Sequence, residues 1–334
     1  MSTCYTKRPI LIAGLGSIGR RHLRNLLAMG VDNIILYRTG KSTLPDDELK
    51  KFPTFSNLED ALRNNPIGVI ISNPTSLHVP TAMMVAKANC HVLMEKPVSH
   101  TLENLTELQK IVSDNKLTFI TGYQFRFHPA LQRIEKWLCE ERIGRIISTH
   151  VHWGEDVRNW HSWEDYSKSY SVRSELGGGV TLTLSHPIDY LRWIIGDVEK
   201  LYALTGACKC IETNADSIIQ ISLKFKNGPI GNIYLDYIEK PTKHTFSIIG
   251  ERGSIHWDST DGSASIFVGS TCAEKYQVPP NFERNTMFFD LVDHFMKCID
   301  GTELPLCTLH DGVQALKIAL AAKQSAMEGR EIIL

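Results

Sequence analysis

A short apolar run, Pro9 to Ala13, passes directly into Gly14-Leu15-Gly16-Ser17-Ile18-Gly19, and an amphipathic stretch from Ser17 to Met29 follows. Few folds accommodate a glycine-rich turn between a buried strand and a helix. The first glycine permits the tight turn. The second lets backbone approach an anionic group closely, and the third lets the helix pack against the sheet. Helix N-terminal N–H groups then face the same place. Gly14, Gly16 and Gly19, with Ser17 and Ile18 between them, therefore read as a pyrophosphate cradle for a dinucleotide. The bland alternative is a purely structural turn.

The context supports the cradle. Strands are expected at Asn33–Tyr37, Gly68–Ile71, His91–Met94 and Leu117–Thr121, with helices at Leu58–Asn64, His78–Asn89 and Leu102–Asn115. Strand–helix alternation requires crossover connections, so the sheet should be parallel and covered on both faces. After Gly122 the rhythm changes. A helix over Pro129–Glu141 precedes a strand near Arg145–Trp153, and an aromatic, polar stretch runs from Gly154 to Arg173. One helix is expected over Gly179–Ile195, and strand follows strand from Val198 to Val278. Two helices close the chain; in the first, Phe288, Leu291, Val292, Phe295 and Ile299 recur at helical spacing. The expected division is 1–122 for a nucleotide-binding domain and 123–334 for a substrate-binding and oligomerisation domain.

Length and charge remove several function classes. The 334 residues carry 36 Lys+Arg against 37 Asp+Glu, a net charge of -1, so no electrostatic reason exists to expect nucleic acid or an anionic membrane surface as partner. No apolar run approaches the roughly 18 residues that span a bilayer. The eight cysteines include no CxxC pair, which suggests a reducing, cytoplasmic setting with mostly buried thiols. The 13 histidines are dispersed, and none pairs with another at helix-ligand spacing beside a third ligand, so no metal site is expected.

The second strand ends in Tyr37-Arg38-Thr39-Gly40-Lys41. An NAD site usually places a carboxylate about 20 residues beyond the glycines, to hold the ribose hydroxyls. Here Arg38, with Thr39 and Lys41, would instead welcome a 2′-phosphate, which favours NADP(H) over NAD(H). Glu95-Lys96-Pro97 follows another strand, at the sheet edge where open α/β folds bind ligands. A lysine there can exchange a proton with a substrate oxygen.

These motifs occur in a telling order. Gly14–Gly19 is followed by Ser72-Asn73-Pro74-Thr75 with His78, then Glu95-Lys96-Pro97, then Gly122-Tyr123 with Arg126-Phe127-His128-Pro129. Gly177-Gly178-Gly179 and His186-Pro187-Ile188-Asp189 come last. Over essentially its whole length the chain resembles the glucose–fructose oxidoreductase / inositol 2-dehydrogenase / MocA family. The resemblance implies an α/β protein: an N-terminal Rossmann domain, then an α/β domain with a large, mostly antiparallel open sheet. It also implies NAD(P)-dependent redox chemistry at a carbinol or carbonyl of a sugar, cyclitol or sugar derivative. Asn73, Pro74, His78, Glu95, Lys96 and Pro97 are then expected around the cofactor. Lys96 corresponds to the family's acid/base lysine, and the Lys96–Pro97 bond to its cis bond.

One position departs from the family. His186 matches by its His-x-x-Asp spacing, but Thr183 stands where relatives commonly carry an Asp. On one helix Thr183 and His186 would share a face. Threonine cannot take a proton near neutral pH, which leaves Lys96 and His186 as the catalytic candidates. Tyr123, Arg126, Thr183 and Asp189 are expected near substrate. So are Arg158, Trp160 and Trp163 of the aromatic stretch, since rings stack on sugar faces and arginine holds a carboxylate or phosphate. A sugar acid or sugar nucleotide is thereby weakly favoured. The expected partners are a small carbohydrate-type substrate and further copies of the chain, in a homodimer or homotetramer. Two other readings stand beside this one. The first is a lyase or glycosidase that retains its nicotinamide and oxidises transiently; the second is a catalytically weak nucleotide-binding or assembly protein.

Overall fold

The computed structural model describes residues 8–40, 44–160, 165–206 and 208–334. They form two compact units, one reaching to Gln124 and including Arg284–Val313, the other made of Phe125–Glu283 and Gln314–Leu334.

The first unit follows the expected alternation: β1 (Ile10–Ala13), α1 (Ser17–Ala28), β2 (Ile34–Tyr37), β3 (Thr54–Phe55), α2 (Leu58–Leu62), β4 (Gly68–Ile71), α3 (His78–Lys87), β5 (His91–Glu95), α4 (Leu105–Asp114) and β6 (Phe119–Gly122). All neighbours pair in parallel, in the order β3-β2-β1-β4-β5-β6. Leu11, Ile12, Val69, Ile70 and Val92 are fully buried, as continuous apolar strands covered on both faces should be. Each such side chain contributes roughly 1.5–3 kcal/mol by leaving water. The strand order reverses between β1 and β4, and that switch point opens a crevice at the carboxyl ends of the strands. The two-residue β3 was not foreseen; it is too short to carry a period.

The second unit contains α5 (Pro129–Cys139), β7 (Ile146–Gly154), α6 (Val180–Thr183), α7 (His186–Ile194), β8 (Val198–Gly206), β9 (Ile218–Phe225), β10 (Ile230–Asp236), β11 (Lys243–Gly250), β12 (Gly253–Asp258), β13 (Ala264–Val268) and β14 (Thr271–Tyr276). The chain then supplies α8 (Arg284–Ile299) to the first unit, and ends in α9 (Leu309–Glu328) and β15 (Ile332–Ile333). The nine-stranded sheet runs β14-β13-β12-β11-β7-β10-β9-β8-β15. Every pair is antiparallel except β7 with β10. Ile219, Ile221, Leu223 and Phe225 of β9 are buried, while Gln220 and Ser222 between them are exposed, the alternation of a sheet packed on one face. α5 begins where its sequence dictates: Pro129 takes the first position, and His128 Nδ1 accepts from Ala130 N at 3.2 Å.

Two expectations are corrected. The helix over Gly179–Ile195 is broken at Leu184-Ser185, so Thr183 ends α6 and His186 starts α7. Pro187 explains the break, since its ring would clash with the carbonyl four residues earlier and it has no N–H to donate. The thiols also differ from expectation. Cys90, Cys298 and Cys307 are buried, but Cys139 and Cys272 are exposed, and Cys208 and Cys210 form a disulfide. Cys139 ends a surface helix and Cys272 lies on an edge strand, where neither is covered. Among the described residues no helix is long and apolar enough to cross a membrane.

Candidate active site

In the first unit, the glycine turn joins β1 to α1 at the switch point. Gly14 has φ +101°, and a Cβ there would lie 2.5 Å from Asn73 N. A Cβ on Gly19 would overlap the Gly14 carbonyl oxygen. Both glycines are thus demanded by packing within the protein. Gly16 is different: a Cβ there would meet nothing within 4 Å, and its φ of -73° suits any residue. Its smallness leaves open the space at the start of α1, where a pyrophosphate would meet the helix N–H groups. The turn is locked to β4, since Ser72 Oγ donates to Gly14 O at 2.8 Å.

The neighbouring turns are held just as firmly. The Lys96–Pro97 bond is cis. His78 is buried and bridges two turns, with Nδ1 2.8 Å from Pro97 O and Nε2 2.9 Å from Asn73 O. Burial pushes the His78 imidazole below its ordinary range. Asn73 Nδ2 donates to Thr81 Oγ1 at 2.8 Å. Glu95 lies 2.7 Å from Nε2 of the fully buried His22 on α1, a partner that sequence reasoning missed. His78 and Glu95 therefore reach backbone and side chain within the unit and brace the turn that carries half-buried Lys96. Tyr123, just past β6, is 1% exposed. Arg38, past β2, pairs with Asp46 at 2.6 Å.

In the second unit, His186 is 3% exposed between two rings, Phe125 at 4.8 Å and Trp153 at 5.7 Å in a stacked arrangement. Thr183 shares a hydrogen bond with the Tyr237 phenol, which donates to Ser171 O at 3.1 Å. Burial pushes that phenol well above its ordinary range. Phe125 and Tyr237 were not anticipated at these positions. Their only sequence signal is apolar periodicity, which does not separate a site wall from core.

Arg126 and Asp189, both expected near substrate, form a buried bidentate pair at 3.0 and 2.7 Å. Breaking such a pair strands a buried charge, at a cost of about 3–5 kcal/mol. Asp189→Asn is therefore expected to lower the unfolding free energy from denaturant titration by that amount, and a midpoint and slope matching the parent would show that the pair does not support the fold. Arg158 is similarly engaged by Asp156 at 2.8 and 2.9 Å, and Lys240 joins them at 2.7 Å. The Arg158 guanidinium heads the causes that pull the Asp156 carboxyl down to about 2. Trp160 meets Tyr237 edge-to-face at 5.3 Å, and its Nε1 is buried with no hydrogen-bond partner among the described residues. Trp163 and Lys41 lie outside the described residues.

Tertiary structure also gathers His152, Asp236 and Glu239, whose donor atoms lie within 4.8 Å of one another. Each is engaged within the chain: His152 Nε2 meets Glu239 at 2.5 Å, and Asp236 Oδ1 accepts from the backbone Ile238 N and Glu239 N at 2.8 and 2.7 Å.

Comparison with known proteins agrees with this architecture. Residues 8–123 match the family model described as oxidoreductase family, NAD-binding Rossmann fold, and residues 136–334 match its C-terminal alpha/beta domain. The chain is 25% identical to myo-inositol 2-dehydrogenase of Thermotoga maritima in an alignment covering 97% of each protein. A levoglucosan dehydrogenase in complex with NADH superposes with TM-score 0.86 at 19% identity, over 98% of each chain. The WlbA dehydrogenase of Bordetella pertussis, in complex with NADH and UDP-GlcNAcA, superposes with TM-score 0.81 at 23% identity, over 98% of this chain and 99% of that one. With both halves matched, and with a glycine turn shaped for a dinucleotide, the chain belongs to the glucose–fructose oxidoreductase / inositol 2-dehydrogenase / MocA family of oxidoreductases.

Proposed function

We propose that the protein is an NAD(P)-dependent dehydrogenase or reductase acting on a carbinol or carbonyl of a sugar, cyclitol or sugar derivative. The open space at Gly16, inside a turn whose other two glycines are packed against protein, carries this reading. When bound, the coenzyme supplies the hydride acceptor or donor. Gly14 to Gly19 would hold its pyrophosphate, with Asn73, Pro74 and Pro97 also around it. His78 and Glu95 act through the turns they brace.

Lys96 and His186 handle the proton. Oxidation of a hydroxyl needs a base as hydride leaves, and reduction of a carbonyl needs the corresponding acid. The rings around His186 keep water from its imidazole. Tyr123, Trp160 and Trp163 contact substrate, while Arg126 and Asp189 shape the pocket as a pair. Because Arg158 is already engaged by Asp156, an anionic substituent on the substrate must share that guanidinium. A sugar acid or sugar nucleotide fits this arrangement, and one neighbour in the comparison was solved with NADH and UDP-GlcNAcA. Arg38 favours NADP(H) over NAD(H) once a 2′-phosphate displaces Asp46 from its guanidinium. The protein acts in the cytoplasm as a homodimer or homotetramer, joined through the sheet face on which Tyr202, Leu204, Ile230 and Ile249 are exposed. A single-chain mass by light scattering would remove the oligomer.

The test is a panel of sugars, sugar acids, nucleotide sugars and cyclitols, followed at the reduced-nicotinamide band with both coenzymes. Turnover on one class, with lower KM for NADPH than for NADH, is expected; a clear NADH preference overturns the coenzyme choice. Thr183, which cannot take a proton near neutral pH, favours one second reading, a catalytically weak nucleotide-binding or assembly protein. Coenzyme binding without turnover on any member of the panel would establish it.

A further inference from the structure

Coenzyme choice in a Rossmann fold is made at the end of the second strand, where the adenosine ribose lies. Here Gly14 N donates to Tyr37 O at 3.0 Å, so the end of β2 abuts the glycine turn and Arg38 follows immediately. The Arg38 side chain is only 15% exposed, and its Nη1 lies 2.6 Å from Asp46 Oδ1. The arginine therefore already faces an anion, supplied by the chain itself.

Asp46 is not there by accident of a surface loop. It sits on the strap from Leu44 to Glu48, which Arg20 of α1 fastens down. Arg20 is 2% exposed. Its Nε donates to Leu15 O at 3.0 Å, inside the glycine turn. Its Nη2 donates to Leu44 O at 3.2 Å and its Nη1 to Glu48 at 3.0 Å, with Pro45 O a further acceptor. Nη2 also reaches Asp46 Oδ1 at 3.4 Å. One buried guanidinium thus ties the strap to the turn and presents the Asp46 carboxylate to Arg38. Hydrogen bonding to Arg38 holds that carboxyl below its ordinary range, so it is an anion at neutral pH.

We propose that Asp46 is a coenzyme-selectivity residue, acting by competition for Arg38. A ribose 2′-hydroxyl can donate to the carboxylate and leave the Arg38–Asp46 pair in place. A 2′-phosphate needs the same guanidinium face and is repelled by the same carboxylate, so it binds only as the strap gives way. The repulsive partner sets the discrimination as much as the attractive one does. Asp46 thereby does from the strap what an acidic residue at the end of the second strand does in an NAD site. The inference rests on the reading of Arg38 as the residue beside the coenzyme's 2′ position, but not on which coenzyme the parent protein prefers.

The test is binding, not turnover. NADPH and NADH are titrated by fluorescence against the full chain, its Asp46→Asn variant and the Asp46→Asn/Arg38→Ala double variant. Asp46→Asn is expected to shift the ratio of the two dissociation constants about tenfold towards NADPH, the scale of one charged hydrogen bond. The double variant is expected to lose that gain. A ratio unchanged in Asp46→Asn, or a gain that survives loss of Arg38, overturns the proposal. A parent that binds NADH better, but whose Asp46→Asn variant still shifts towards NADPH, supports the proposal while removing the preference for NADP(H) given above. Asp46→Ser is the second variant should asparagine loosen the strap, as thermal unfolding would reveal.

Discussion

Alanine at Lys96 is expected to lower kcat at least about a hundredfold, as loss of a positioned acid/base group does. The expectation rests on place as well as chemistry. Lys96 directly follows β5, at the carboxyl edge of the parallel sheet, on the face where open α/β folds work. The turn around it is braced on both sides, by His22 on Glu95 and by His78 on Pro97. Those bracing contacts are made by other side chains, so the turn itself should survive the substitution. Lys96→Arg is not expected to rescue turnover, because a guanidinium does not release its proton near neutral pH. The measurement is kcat across pH together with a coenzyme titration. Near-normal turnover in Lys96→Ala would take Lys96 out of the mechanism, whereas loss of coenzyme binding would assign it a positioning role.

The second large effect separates the glycines from one another. Gly16→Ala is expected to leave stability within about 1 kcal/mol of the parent, because an added methyl at this helix N-cap meets no protein atom and φ is ordinary. It should nevertheless weaken dinucleotide binding severely, by about a hundredfold, since the methyl occupies the space through which backbone approaches a pyrophosphate. Gly14→Ala should damage both properties. Its φ of +101° costs about 1–3 kcal/mol for any other residue, and the methyl would press on Asn73 N at 2.5 Å. Thermal unfolding and NADH fluorescence titration on the two variants decide the matter. If Gly16→Ala bound coenzyme like the parent, the site would not be a pyrophosphate cradle.

Legibility followed the range over which each feature is determined. The glycine turn, the alternation around it and Lys96 after a strand are local, and each can be read from a window of a few residues. α8 was equally legible, because Phe288, Leu291, Val292 and Phe295 repeat at helical spacing and are buried. Its destination was not: the same stripe could pack on either unit, and it returns to the first, where Phe295 and Ile299 lie against Gly68. The break before His186 was available in the sequence, since Pro187 forbids a continuous helix. The Arg126–Asp189 pair was not, because 63 residues separate its members and nothing in either neighbourhood names the other. Read one by one, both look like substrate contacts. Asp46 left no sequence signal of any kind; it lies in a polar stretch without period, and Arg20, remote in sequence, helps to bring it to Arg38.

By itself, the order of residues determined the fold class, the dinucleotide cradle and the two side chains proposed to move the proton. The first two follow from backbone conformation, burial period and short motif spacing, which act over a few residues; the proton-handling pair follows from the resemblance to the family. Tertiary structure alone decided which charged side chains were already taken. Arg38, Arg126 and Arg158 each meet a carboxylate, and Glu95 meets His22. A charge in a partly dry site is governed by whatever counter-charge lies within a few ångströms of it. That distance is set by the packing of strands and helices remote in sequence, so no local reading could supply it.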